Sequence, residues 1–253
     1  MKFFFDRMLQ TIPVVLGITL VVFSLMHLTP GDPVETMLGS VGHISQEDID
    51  LIRHELGLDQ PLWKQYLGFL GGICRGDWGM SLRYGVPVKE LIRERLPATL
   101  ELTLAAMLIS LMIAIPAGVI SAVHRYSLVD QASTLVSLIG VSLPDFWLGL
   151  VLILIFSVGL GWLPGGLRLG FEIAWPPTTT GLLLVDSLLA WNWEAFWAAM
   201  SHLLLPALAL GAPLAALTMR ITRSSMLDVI QQDYITFARA KGLREMVVII
   251  KHA

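Results

Sequence analysis

The chain has 253 residues, of which 55% are hydrophobic and only 15% charged, and its mean hydropathy is +0.70. Soluble domains carry about 25% Asp, Glu, Lys and Arg, so this composition excludes a disordered chain and argues against a soluble globular enzyme. The 17 basic and 20 acidic residues leave a net charge of -3, which shows no nucleic-acid footprint, and the single cysteine, Cys74, cannot form an intramolecular disulfide. The class that fits is an all-α integral membrane protein.

The first element is a twenty-residue run without formal charge at residues 9–28. At 1.5 Å per residue it matches a hydrocarbon core of roughly 30 Å. Lys2 and Arg7 precede it, but the run exceeds the roughly 7–15 residues of a signal peptide and no small-residue cleavage site follows. It is read as an uncleaved first span.

A long connection, residues 29–97, comes next and reads as a small folded extracytoplasmic segment. It leaves the bilayer through a turn at Pro30-Gly31-Asp32-Pro33. Ser45, followed by Glu47, Asp48 and Asp50, predicts a helix start, with the helix ending at Gly57. A second amphipathic piece is predicted at residues 61–70. This segment is either a cap packed on the membrane bundle or a ligand site of its own.

Residues 98–253 form the core. Spans are predicted at 98–120, 134–158 and 201–221, which makes four visible spans in all. Pro116, Pro144, Pro206 and Pro213 lie inside these runs, so kinked helices are expected. Gly118, Gly140, Gly149 and Gly211 predict close helix contacts. The connection between the third and fourth spans carries five tryptophans, at 162, 175, 191, 193 and 197, suited to an aromatic belt. Its GLLLVDSLLAW stretch is too short to span and suits the membrane interface.

Orientation follows from basic residues in short loops. Lys2 and Arg7 flank the first span, Arg125 lies in the short second connection, and Arg223, Arg239, Lys241, Arg244 and Lys251 follow the last span. The connection before the fourth span has only Arg168 as a basic residue. The first connection holds seven basic residues but ten acidic ones, and it is too long for the rule to apply strongly. Both visible ends are therefore expected to be cytoplasmic.

No H-E-x-x-H, G-x-S-x-G or paired Cys/His spacing is present, so neither a catalytic motif nor a metal site is expected. None of the five lysines follows a glycine, so a phosphate-binding loop is also missing. Any uphill transport must draw nucleotide energy from another chain. Two acids fall within the spans, Asp145 and Glu101. Each is a candidate for a translocation path, because a carboxylate at depth must face the bundle or water. The bland alternatives are that Asp145 bonds backbone freed by Pro144 and that Glu101 lies at the interface. No chain of acids and histidines crosses the bilayer, which disfavours a proton-driven transporter.

The most informative stretch is 222–253. Met226, Ile230, Tyr234 and Phe237 are spaced as one stripe of a helix, Arg239, Lys241 and Arg244 give its end a basic character, and Gly242 predicts a cap or sharp bend. From physics alone it is either an interfacial helix or a docking element for a soluble partner.

Within that stretch, Asp233-Tyr234-Ile235-Thr236-Phe237-Ala238-Arg239-Ala240-Lys241-Gly242-Leu243 resembles the EAA loop of bacterial ABC importer permeases, in the wording of the dipeptide, oligopeptide and nickel subfamily. Further matches run in order along the chain: Thr29-Pro30-Gly31-Asp32-Pro33, Glu55-Leu56-Gly57-Leu58-Asp59 with Pro61, Gly76-Asp77-Trp78-Gly79, Ala98-Thr99-Leu100-Glu101-Leu102 and Arg223-Ser224-Ser225-Met226. Ala238 and Gly242 fill the second alanine and the glycine of the signature. Thr236 and Phe237 replace its acidic residue and first alanine, a departure that fits this subfamily.

The resemblance implies a six-helix permease fold in the bacterial inner membrane, of which four helices are visible here. It also implies a second permease subunit, two cytoplasmic ABC ATPase subunits that use ATP, and an extracytoplasmic solute-binding protein. No cofactor is implied for this chain, and membrane lipid is its remaining partner. Residues Asp233, Tyr234, Ala238, Arg239, Ala240, Lys241 and Gly242 would couple to the ATPase, and alternating access would follow. Peptide is the first expected cargo, with nickel or another small solute second. A non-transporting membrane scaffold is the alternative from another class. The chain is also expected to be C-terminally truncated, because the signature's closing I-x-L-P portion and the family's last two helices are not reached.

Overall fold

The computed structural model describes residues 2–28, 51, 53–54, 57–81 and 83–252. The turn expected at residues 29–33 and the helix start expected at Ser45 lie outside these residues. The chain divides into two units, Met1–Glu94 and Arg95–Ala253. Among the described residues the secondary structure is helical, apart from one isolated antiparallel bridge between Met80 and Pro87.

In the first unit, α1 (Lys2–Leu28) is a continuous helix with Pro13 inside it. Its apolar side chains are exposed nearly all round, as expected of a helix solvated by lipid. The exception is a face carrying Phe23, which packs against Tyr66 and Phe69 of α2 (Leu62–Arg75). The Tyr66 hydroxyl lies 3.0 Å from the Thr19 hydroxyl, and His27 Nε2 lies 3.0 Å from Gln65 Oε1. The amphipathic piece predicted at 61–70 is therefore this helix, one turn longer. It stops where Gly76 turns left-handed at φ +77.

The second unit is organised around one long helix. Its elements are α3 (Val88–Val123, most of whose length falls here), α4 (Leu128–Ser142), α5 (Asp145–Leu152, continued by wider π-helical turns at Ile153–Gly159), α6 (Leu183–Leu189), α7 (Trp193–Ile230), α8 (Asp233–Ala240) and a terminal piece, α9 (Glu245–Val247). Helices α4, α5 and α6 all pack on α7. Pro116, Pro206 and Pro213 sit inside unbroken helices, so these spans tolerate the missing N–H groups.

The span predicted at 134–158 is not one helix. Leu143, held extended at ψ 133 by the proline that follows, ends α4, and α5 sets off at 108° to it. Three described helices are long and apolar enough to cross a membrane, or four if this bent pair counts as one span. The GLLLVDSLLAW stretch contains α6, which buries Leu183 against Leu169 and against Ala195 and Ala199 of α7. The five tryptophans of this connection are exposed or partly exposed, which suits the aromatic belt.

The four glycines singled out for close contact all meet α7 or lie on it. A Cβ at Gly118 would sit 2.8 Å from the Met219 carbonyl oxygen and 2.8 Å from Thr222 Cβ. One at Gly211 would sit 2.8 Å from the Ala106 carbonyl oxygen, whereas the nearest neighbours at Gly140 and Gly149 are alanine methyls, at 3.2 and 3.6 Å. Gly118→Ala is therefore expected to destabilise the unit by about 1–3 kcal/mol through overpacking. Gly149→Ala should leave stability unchanged. Thermal unfolding of the detergent-solubilised protein checks this, and equal melting temperatures for the two variants would contradict it.

Candidate functional site

The segment after α7 is built by local rules. Helix α7 runs on to Ile230, and the chain breaks at Gln231 and Gln232 before α8 begins at Asp233, an acid favourably placed in the first turn. The single stripe expected from Met226 to Phe237 is thus divided. Met226 and Ile230 end α7, while Tyr234 and Phe237 stand exposed on α8. The face of α8 that turns inward is Ile235 and Ala238, which pack on Val248 with Val229 beside them.

The end of α8 is a Schellman turn. Gly242, at φ +81, donates to the Arg239 carbonyl at 2.9 Å, and Leu243 donates to the Ala238 carbonyl at 3.5 Å. Arg239 closes the turn from outside. Its Nη2 donates to Glu245 Oε1 at 2.6 Å and its Nε to Oε2 at 3.1 Å. This fork holds the Glu245 carboxyl below its usual range and raises Arg239. Lys241 Nζ lies 4.6 Å from the centre of the Phe237 ring. The proposed coupling residues therefore separate by role. Tyr234, Phe237 and Lys241 present a surface, Ala238 is core, and Arg239 and Gly242 shape the turn. Asp233 and Ala240 are exposed.

Glu101 and Asp145 occupy different environments. Glu101 has a side chain only 9% exposed; its Oε2 accepts from Arg168 Nη2 at 2.7 Å and its Oε1 from the Leu184 N–H at 2.7 Å. Both oxygens are engaged, so Glu101 acts as a clasp joining α3 to the connection that holds Arg168 and α6. It lines a cavity of ≈280 Å³ with Leu102, Arg168, Leu183, His202 and Pro206. Asp145 opens α5 directly after Pro144 and is exposed. Among the described residues, no side-chain hydrogen bond or ion pair reaches it. It lines a second cavity, of ≈530 Å³, with Gly149, Gly166, His202 and Ala209. His202 borders both cavities and donates from Nδ1 to the Gly166 carbonyl at 2.6 Å. Among the described residues, no cluster of His, Cys, Asp or Glu is placed to hold a metal.

Two buried acids escaped the sequence reading. Asp130, at the start of α4, accepts a bidentate pair from Arg223 of α7, with Nε–Oδ1 at 2.6 Å and Nη2–Oδ2 at 2.8 Å. The Ser121 hydroxyl of α3 donates to the same Oδ1, and the Tyr126 N–H donates to Oδ2 at 3.0 Å. Arg223 was legible only as a basic flank. The available hint was Ser127, whose hydroxyl caps α4 by accepting from the Asp130 N–H at 3.3 Å. Asp186 of α6 is 3% exposed, and its carboxylate accepts from the N–H and hydroxyl of Thr180, both at 2.8 Å, and from the Gly181 N–H at 2.9 Å. Burial pushes this carboxyl up, but the hydrogen bonds outweigh it and leave the pKa lowered.

Comparison with known proteins bears on the whole chain. Residues 114–253 match the model of the binding-protein-dependent transport system inner membrane component, and residues 1–103 match the model of its N-terminal region. The chain is 44% identical over 255 residues to the di/tripeptide transport system permease protein DppB of Pseudomonas aeruginosa, covering 100% of this chain and 75% of that protein. It is 41% identical over 255 residues to the dipeptide transport system permease protein DppB of Escherichia coli K12, with the same coverage. It is 44% identical over 248 residues to the oligopeptide transport system permease protein AppB of Bacillus subtilis, covering 97% of this chain and 72% of that one.

The Asp186 knot yields a prediction with a definite sign. Its folded pKa lies below the ordinary 3.8, so its contribution to stability is complete above that value and is lost as pH falls through the folded pKa. Asp186→Asn would turn an amide toward N–H donors and is expected to cost about 1–3 kcal/mol at neutral pH. The deficit should shrink in acid. A melting-temperature difference between the two proteins that stays constant from neutral to acid pH would refute it.

Proposed function

The chain belongs to the inner membrane components of binding-protein-dependent transport systems, and from that premise we propose that it is a permease subunit of a peptide importer powered by separate ATPase subunits. The observation that carries this reading beyond the family is α8. It is an eight-residue helix that turns Tyr234 and Phe237 outward at the end of α7 and is braced by the Schellman turn at Gly242 and the Arg239–Glu245 fork. Such a helix suits a groove on a soluble partner. ATP binding would close the two ATPase subunits, α8 would carry that rigid-body motion to α7, and the spans would alternate their access. A second permease subunit would cover the inward faces of the spans, and an extracytoplasmic binding protein would deliver the solute. Peptide is favoured over nickel by the named transport systems of its relatives.

Both ends of the chain then face the cytoplasm and the α6 connection faces outward, in keeping with the basic residues of the short loops. Asp145, open to its cavity, is the better candidate for the solute path. Glu101, with both oxygens engaged, serves better to hold the outer connection in place.

Three measurements test this reading. Proteoliposomes holding the complete importer and its binding protein should accumulate radiolabelled dialanine or trialanine on addition of ATP. Accumulation of nickel without either peptide would overturn the cargo. With Cys74 replaced by Ser, a cysteine at exposed Phe171 should react with an impermeant thiol reagent in intact cells, and one at Gln231 should not. The reverse pattern would overturn the orientation. A Cβ at Gly242 would meet nothing within 4 Å, so Gly242→Val acts chiefly through the left-handed φ, a strain of about 1–2 kcal/mol or more. Together with Phe237→Ala, it should lower uptake sharply while membrane insertion stays normal. Normal uptake in both variants would leave α8 as an interfacial helix.

A further inference from the structure

The interface between α3 and α7 is made largely of small groups on the α3 side. Ala114 and Ala117 of α3 pack with Ala215 and Met219 of α7, and a Cβ at Gly118 would meet the Met219 carbonyl and Thr222. Such a surface brings two backbones close at Gly118 and Gly211. Directional polar contacts can reinforce the register that this close approach sets.

Among the described residues, Ser137 of α4 donates its hydroxyl to the Ala216 carbonyl of α7 at 3.0 Å, and the groups around Asp130 add a second, charged and directional set of contacts nearer the end of α7. The guanidinium of Arg223 meets the carboxylate as a fork, with both contacts at 2.8 Å or less. The same carboxylate takes the Ser121 hydroxyl from α3 and the Tyr126 N–H from the turn between α3 and α4. Tyr126 adopts a left-handed φ of 65 in that turn, a conformation a tyrosine takes only when its surroundings require it. Asp130 is 4% exposed. One carboxylate thus joins α3, α4 and α7, and Arg223 stands on the last stretch of α7, a short way before the break that leads into α8.

We infer that Asp130 and Arg223, together with Ser121, are positioning residues that tie α3 and α4 to the end of α7, so that a displacement of α8 is passed to the membrane-spanning helices. This rests on the reading of α8 as the element that receives motion from an ATPase. The occupant of the clasp is the chain itself, and no ligand is required. Because the fork is directional, charge alone does not suffice. A lysine at position 223 would keep the charge but lose the fork.

The test uses the complete importer in proteoliposomes and measures two rates together: ATP hydrolysis stimulated by the loaded binding protein, and accumulation of whichever peptide, dialanine or trialanine, the unaltered importer takes up. Asp130→Asn and Arg223→Lys are expected to assemble and to keep stimulated ATP hydrolysis. Peptide moved per ATP should fall by about threefold or more. A merely structural role would lower both rates in proportion, through the amount of intact complex, and leave the ratio unchanged. An unchanged ratio overturns the inference. If Asp130→Asn fails to assemble, Arg223→Lys, which retains the charge balance, decides the matter by the same ratio. An unaltered importer that hydrolyses ATP but accumulates neither peptide would count against the transport reading itself, which separates the two failures.

Discussion

Helices in lipid gain little by turning apolar faces toward one another, because the acyl chains are as apolar as leucine. Association therefore depends on how closely backbones approach, and here that constraint converges on α7. Gly118 of α3, Gly140 of α4 and Gly149 of α5 all lie against it, and its own Gly211 lies against Ala106. The buried residues of α7 are correspondingly small, with alanine at 195, 199, 207, 209, 215 and 216. Every other span in the second unit takes its position from this one surface.

Close approach is supplemented by polar contacts, one in the middle, where the Ser137 hydroxyl donates to the Ala216 carbonyl, and one at each end. At one end Arg223 forks onto Asp130. At the other, Arg168 and the Leu184 N–H share the carboxylate of Glu101. The arginine side chains remain 32% and 30% exposed, so removing a partner costs less than the ~3–5 kcal/mol of a fully buried pair. Between these two clasps the helices carry scarcely any charge, with Asp145 and Arg220 the exceptions. The place of Asp145 at the first turn of α5 owes everything to Pro144, which stops α4 and frees a helix N-terminus beside the carboxylate.

The segment at the end of α7 follows another logic. Its shape is held by short-range devices: a buried pair, Ile235 and Ala238, on Val248; a left-handed glycine; and an exposed fork between Arg239 and Glu245. Such a unit can be shaped without reference to the rest of the bundle. Such independence suits the docking role proposed for its outward side chains.

Much of this was legible in the residues alone. Charge depletion and uninterrupted apolar runs identify the spans, because backbone in hydrocarbon has few ways to satisfy its hydrogen bonds. Glycine at 118 and 211 marks close approach, and glycine at 242 marks a turn, because in each case a Cβ is the obstacle. Other features depended on what the chain brings together from far away. The Asp130–Arg223 pair spans 93 positions and the Glu101–Arg168 pair 67, so neither partner is marked by its own neighbours. The periodicity from Met226 to Phe237 suited one helix, yet Gln231 and Gln232 interrupt it, because Ile235 and Ala238 find their burial against Val248 and Val229. The bend at Pro144 reads from sequence as a kink, but its 108° size is decided by the packing of α4 and α5 on α7. Local pattern determines which segments enter the membrane and where they can touch. Which charges meet across them is decided only when the backbones have closed around one another, since an ion pair is a property of two positions and a sequence pattern of one.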